Sequence, residues 1–177
     1  MSDYEIVRSG CHVHTGDHVS WPFETAVAKL QHHAIVVAQK GGDLLKVIHA
    51  RSSSGESNSA SFGSGSGSDK DSYVVVEETL DFSKTMQDGV LRRYIYEPSD
   101  CKEPPDVIQS AREKIGSFIY RPFRNNCEHF ARECKTGTKE SYQADKAEKV
   151  AGWSGAAVAA AAAVSSIVGI ALSSPKN

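Results

Sequence analysis

The chain has 177 residues, a formal net charge of −2 at pH 7 and a pI near 6.4. This length fits one domain with room for a tail, and a hydrophobic content of 40% is ordinary for a folded domain. The charge balance argues against a general nucleic-acid-binding protein, which needs a basic face. The polar, acidic start "MSDYEIVRSG" argues against a cleavable secretion signal, so we expect a cytosolic chain with reduced thiols.

The first fifty residues predict strands joined by turns. The segment "TGDHV" is typical of a turn that leads into the strand-like "HVSWPF", where Pro22 favours a sheet edge or an exit from the sheet. The runs "HHAIVVA" (32–38) and "LLKVIHA" (44–50) have strand length and flank the turn "QKGGD". We therefore predict a β-hairpin over residues 32–50.

Residues 51–72 are rich in Ser and Gly and hold too few apolar side chains to offset the entropy of ordering them. Strand-like sequence resumes at "YVVVEETL" (73–80). The segment is therefore predicted to be a flexible surface insertion within one domain. A further strand is expected at "VLRRYIYEP" (90–98).

Two helices are predicted in the second half of the chain. The first covers residues 104–116, with Pro at its start and Gly116 as its end. Its apolar side holds Val107, Ile108, Ala111 and Ile115. After the short extended stretch "SFIYRPF", the segment "NCEHFARECKTG" predicts the second helix, with Asn126 as N-cap and Gly137 near its end.

The C-terminal tail, residues 148–177, is rich in Ala. Residues 155–172 carry no charge and are close to the minimum length that spans a bilayer. Trp153 and Lys176 stand where interfacial residues would be expected. We expect an Ala-rich helix that anchors the chain to a membrane, the alternative being an Ala-rich helix that packs on the domain or is loosely ordered.

Cys127 is the candidate nucleophile. It follows the predicted N-cap, and the free N–H groups and dipole of a helix N-terminus lower the pKa of a thiol. The same N–H groups can donate to an oxyanion on an attacked carbonyl. His129 lies two residues further on, so its side chain points to another side of the helix and is expected to serve packing.

The candidate bases lie upstream, on the hairpin. His32 opens the first strand and His49 ends the second, so pairing of the strands can bring the two imidazoles together. Alternation along the second strand turns His49 inward. One imidazole would activate Cys127 and the other would fix its tautomer. His33 competes with His32 for the role of base, and both histidines of the pair can also be read as ordinary polar residues near strand ends.

The segment "CHVHTGDH" raises the question of a metal site. It holds four possible zinc ligands within eight residues: Cys11, His12, His14 and His18. No second ligand pair of matching spacing lies elsewhere in the chain, and "GDH" is explained by the predicted turn. We therefore expect neither a metal nor a cofactor.

In chain order, the Gly-Asp turn, "HHAIVV", "VIHA" and "NCEHF" resemble the motifs of the lecithin:retinol acyltransferase-like group of the NlpC/P60 superfamily, which includes the H-Ras-like suppressor phospholipase/acyltransferases. The resemblance covers roughly residues 15–142, and "NCEHF" is its most specific part. It implies that His32 is the base, His49 the third triad member and Cys127 the nucleophile.

The sequence also departs from that family pattern. Val36 stands where the family usually has Tyr, and Ala38 where it usually has Gly. The stretch between the two histidines is a few residues longer than expected, and the Ser/Gly insertion is not typical. These departures bear on substrate preference more than on the triad.

The resemblance implies an α+β fold of the circularly permuted papain-like, NlpC/P60 type, with a small antiparallel sheet packed on helices. Residues 1–147 would form the catalytic domain, and residues 148–177 the anchoring tail.

The implied function is that of a thiol-dependent phospholipid acyl hydrolase and acyltransferase, a phospholipase A1/A2 and N- or O-acyltransferase that forms a thioester on Cys127. Water, an amine or a lysolipid would accept the acyl group at the cytoplasmic face of a membrane. Two alternatives stay open: a thiol peptidase or amidase on the same scaffold, and a catalytically inactive domain that interacts with membranes.

Overall fold

The computed structural model describes residues 3–24, 29–52, 73–119 and 125–138. Within them, seven strands form one antiparallel sheet in the order β1-β6-β2-β3-β4-β5-β7. The strands are β1 (Tyr4–Val7), β2 (His18–Glu24), β3 (Lys29–Gln39), β4 (Leu44–Ser52), β5 (Tyr73–Asp81), β6 (Leu91–Tyr94) and β7 (Gly116–Phe118). The helices are α1 (Ser83–Gln87), α2 (Pro104–Arg112) and α3 (Cys127–Thr136), with 3-10 turns at Gly10–His12 and Pro98–Asp100. An antiparallel sheet with helices confirms the predicted α+β class.

The predicted hairpin is confirmed as β3 and β4, which pair antiparallel. The backbone N–H of Lys40 donates to the Leu44 carbonyl at 2.8 Å and closes the turn. Gly41 and Gly42 have φ angles of 103° and 55°, which side chains with a Cβ rarely adopt. The two glycines of "QKGGD" are therefore the residues that allow the turn.

Both faces of the sheet are covered, because alternate residues of the central strands enter two separate cores. The core on the α1 side consists of Val7, Val13, Val19, Trp21, Ala34, Val36, Leu45, Val47, Phe82, Met86 and Leu91. The core on the α2 and α3 side consists of Ile35, Val37, Ile48, Ala50, Val75, Val107, Ala111, Phe130, Ala131 and Cys134. We call these sides the α1 face and the α3 face.

β2 is not an edge strand, since it lies between β6 and β3, but its C-terminal part, which holds Pro22, extends past the described pairing with β6. β6 pairs with β2 only at Val19 and Ser20 in the described register, whereas β3 pairs along all of β2. Pro22 lies beyond the β6 pairing and is exposed. Its missing N–H therefore costs no bond to β6.

Two predicted elements are shorter than expected. α2 ends at Arg112 rather than Gly116, because the N–H groups of Lys114 and Ile115 bond to carbonyls three residues back and tighten the chain into a turn. Gly116 has a φ of 119° and begins β7, so it is not a helix stop. The strand predicted over 90–98 is limited to β6, and β1 and α1 were not predicted.

Two predicted segments fall where the structure gives no description. Residues 53–72 of the predicted insertion and the entire tail, 148–177, lie outside the described residues, so the insertion, the domain boundary and the membrane anchor stay predictions. No helix in the described part of the chain has the length and apolar character needed to cross a membrane.

Candidate active site

Cys127 is the first residue of α3, and the predicted cap precedes it. The Asn126 side chain accepts the backbone N–H of His129 at 3.0 Å, and the His129 ring completes a capping box. Gly137, with a φ of 82°, closes the helix by donating to the Glu133 carbonyl at 2.9 Å. The sequence therefore located both helix ends, and His129 contributes to the helix start as a buried packing residue.

The thiol of Cys127 lies against the backbone of β3. Its Sγ donates to the Gln31 carbonyl at 3.7 Å, and the backbone N–H of His33 also acts on it. This stretch of β3 can receive the helix because its described pairing with β4 begins only at Ala34, opposite His49. The helix N-terminus thus brings the sulfur to the residues on either side of His32.

The thiol is not ionised at rest, which corrects the expectation of a lowered pKa. Burial raises the pKa of Cys127 to about 12, and the nearby Glu128 carboxylate acts in the same direction. The backbone N–H groups of His33, Cys127 and Glu128 lower it, as expected at a helix start, but burial outweighs them. A neutral thiol must give its proton to a base before or during attack on a carbonyl.

His32 and His49 lie together on the α1 face. His32 Nε2 is 2.8 Å from His49 Nδ1, and the two residues are 5% and 6% exposed. The edge of Trp21 packs on His32 with 4.7 Å between ring centroids. Burial and the neighbouring imidazoles of His49 and His33 lower the pKa of His32 well below its usual value. The hairpin therefore builds the pair that the sequence suggested, and burial favours the neutral form of His32.

Glu78 joins this pair and was missed by sequence reasoning. His49 Nε2 is 2.6 Å from Glu78 Oε1, and Arg51 Nε is 3.7 Å from the same oxygen. The bond with His49 lowers the pKa of the Glu78 carboxyl. The one signal in the sequence was alternation along β5, which puts Glu78 on the same face as Leu80, but the register of β5 against His49 could not be read from it.

A second histidine pair occupies the α3 face. His33 Nδ1 is 2.8 Å from His18 Nε2, and His18 Nδ1 is 2.6 Å from the Tyr96 hydroxyl. Both rings are fully buried. Burial lowers the pKa of His33 to about 4, with Glu128 acting in the opposite direction, and lowers that of His18 well below its usual value. His33, the alternative candidate for the base, is therefore paired with His18 on the opposite face of β3 from His32.

The four residues weighed as metal ligands are not brought together. Cys11, His12 and His14 are exposed, whereas His18 is buried in its pair with His33. Within the described ranges, no cluster of three or more His, Cys, Asp or Glu side chains has the arrangement to hold a metal ion.

One comparison with known proteins gives a match. The family model described as lecithin retinol acyltransferase matches residues 11–140, which include Cys127, His32, His49 and Glu78. No curated protein and no solved structure matches the chain.

Proposed function

The chain belongs to the lecithin retinol acyltransferase family, and from that premise we propose that it is a thiol-dependent phospholipase A and acyltransferase that acts on glycerophospholipids. Family membership supports acyl transfer in general. The observation that carries the finer proposal is the buried 2.8 Å contact between His32 of β3 and His49 of β4. The backbone of β3 next to His32 also contacts the Cys127 thiol.

We assign the base to His32 rather than His33. The His32 pair leads to the carboxylate of Glu78, which can balance an imidazolium, whereas the His33 pair leads to the phenol of Tyr96. Burial raises the pKa of that phenol, so it stays neutral. Glu128 also raises the pKa of His33, so the assignment rests on the hydrogen-bonded path that runs from His32 through His49 to Glu78.

The proposed reaction has two halves. In the first, the Cys127 thiol passes its proton to His32 while Sγ attacks the ester carbonyl carbon, and backbone N–H groups of the first turn of α3 donate to the oxyanion. The C–O bond then breaks, His32 returns the proton to the leaving oxygen, and a lysophospholipid departs from the thioester. In the second half, the acceptor attacks the thioester, its proton passes through His32 to the sulfur, and the thiol is restored.

The acceptor decides the product. Water gives a free fatty acid, an amine gives an amide, and the hydroxyl of a lysolipid gives an ester. Each of these steps uses only the thiol, the imidazoles and backbone N–H groups.

At the level of fold, we propose a circularly permuted papain-like arrangement. The sheet strand that carries the histidine precedes the helix that carries the nucleophile, and the start of that helix packs against the strand. For localisation, we propose the cytoplasmic face of a membrane, with residues 148–177 as the anchor, because an anchored site would meet its lipid at a high effective concentration.

The test is detection of the thioester. Purified protein is incubated with phosphatidylcholine labelled in its acyl chains, and the intact mass and the lipid products are measured. Wild-type protein should gain the mass of one acyl group and release lysophosphatidylcholine, and Cys127→Ala should do neither while staying folded. Cys134→Ala is the matched control, since Cys134 is buried in the same helix but belongs to the core of the α3 face.

Retention of acyl release by the Cys127→Ala protein would overturn the mechanism. Loss of release by Cys134→Ala with an intact fold would show that the assay reports on the helix rather than on the proposed nucleophile.

A further inference from the structure

Glu78 lies at the far end of the buried histidine pair. Its Oε1 is 2.6 Å from His49 Nε2, while its side chain is 33% exposed. Arg51 approaches the same oxygen at 3.7 Å and keeps the carboxylate ionised together with His49. An ionised carboxylate can only accept hydrogen bonds.

With both rings neutral, these contacts fix the position of each proton along the chain from Glu78 to His32. Because Glu78 accepts, His49 Nε2 must carry a proton, and in the neutral ring Nδ1 is then an acceptor. Because His49 Nδ1 accepts, His32 Nε2 must carry the proton of the 2.8 Å bond. In the neutral His32 ring, Nδ1 therefore keeps its lone pair.

We propose that Glu78 is a positioning residue of the acyl transfer, acting through His49 to hold His32 in the tautomer whose Nδ1 can take the thiol proton. The inference rests on the proposed function for its kinetic consequence. It needs no contact between Glu78 and the substrate.

The carboxylate has a second effect once the proton has moved. The His32–His49 pair then carries a positive charge in a buried site walled by Trp21. Hydrogen bonds to an ionised partner are about twice as strong as neutral ones, so Glu78 stabilises the charged pair through His49. Solvent and Arg51 screen part of this effect, because Glu78 is one-third exposed.

The kinetic test compares Glu78→Gln with Glu77→Gln. The amide introduced by Glu78→Gln can donate to His49 Nε2, which permits the wrong tautomer in both rings. We expect kcat to fall on the order of 10²-fold with KM unchanged, less than the ~10⁴-fold typical of a buried triad carboxylate. Glu77 is the matched control, because it is ion-paired with Lys46 at 2.7 Å and Arg112 at 2.9 Å on the other face of the same strand. Its variant should keep kcat.

A second readout does not depend on turnover. Long-range ¹⁵N–¹H correlation spectra give the protonated nitrogen of each imidazole. Wild-type and Glu77→Gln proteins should show His32 and His49 protonated at Nε2, and Glu78→Gln should shift both rings toward Nδ1. Unchanged tautomers in a folded Glu78→Gln protein would overturn the inference.

The two readouts separate the possible failures. If wild-type protein forms no thioester, the proposed function fails, and the proton positions still decide whether Glu78 controls the pair. If the thioester forms and Glu78→Gln keeps full kcat, the proposed function stands and the role of Glu78 is rejected.

Discussion

The adjacent side chains of His32 and His33 are expected to differ in function because they lie on opposite faces of β3. His32→Ala should lower kcat about 10²- to 10⁴-fold, the usual contribution of a general base. His33→Ala should keep the turnover of the folded protein but lower its free energy of unfolding by about 1–3 kcal/mol, because His18 Nε2 loses its buried partner. Acyl release and urea denaturation measure the two effects.

The opposite pattern, loss of turnover in a folded His33→Ala protein and retention in His32→Ala, would move the base to the α3 face.

The sequence could predict Cys127 and the two hairpin histidines because local signals mark them: an N-cap, strand alternation and a Gly-Gly turn. It could not predict Glu78, since the β4–β5 register that brings Glu78 opposite Val47 is set across residues 53–72 by pairing rather than by any local signal.

Helix α3 places the thiol, so its start should affect both stability and reactivity. Asn126→Ala removes the side chain that accepts the His129 N–H, and the free energy of unfolding should fall by about 1 kcal/mol. Asn126→Ser keeps an acceptor and should stay within a few tenths of a kcal/mol of wild type. Urea denaturation measures the stability, and the rate of thioester formation shows whether the frayed first turn still holds Cys127.

A rate of thioester formation unchanged in Asn126→Ala would mean that contacts with β3, rather than the cap, fix the position of the sulfur.

The presence of a helix or strand was easier to predict than the residues at which it ends. α2 ends before Glu113-Lys114-Ile115 although these residues suit a helix, because Gly116 pairs with Val75 of β5 and starts a strand. That competition lies in tertiary contacts, which the helical pattern of residues 104–116 does not contain.

The two-faced sheet explains why this fold buries so many histidines. His32 and His49 enter the α1 face from neighbouring strands, and His18 and His33 enter the α3 face, so β3 separates two polar pairs within apolar cores. Neutral imidazoles are buried at less cost than charged ones. The fold therefore favours the uncharged form of His18, His32 and His33, and its stability should depend on pH.

Unfolding should become easier as pH falls from about 6.5 toward 4. The folded-state pKa of His33 is lowered from 6.5 to about 4, and those of His18 and His32 are also lowered. Below pH 6.5 these histidines are protonated in the unfolded chain but stay neutral in the folded chain. The free energy of unfolding therefore falls as pH falls. His33 alone contributes at most about 1.4 kcal/mol per pH unit, a slope that is reached near the middle of this window.

Urea denaturation between pH 7 and pH 5 measures this slope, and His33→Leu should reduce its mean value by about 1 kcal/mol per pH unit. Carboxylates affect stability in a lower pH range. Hydrogen bonds from Arg112 and Lys46 lower the pKa of Glu77 to about 2. The stability that Glu77 contributes is therefore lost only as pH falls below about 4.5. Glu77→Gln should therefore leave the slope between pH 7 and pH 5 unchanged. An equal slope in wild-type and His33→Leu proteins would mean that His33 takes up its proton without unfolding, which its complete burial against His18 argues against.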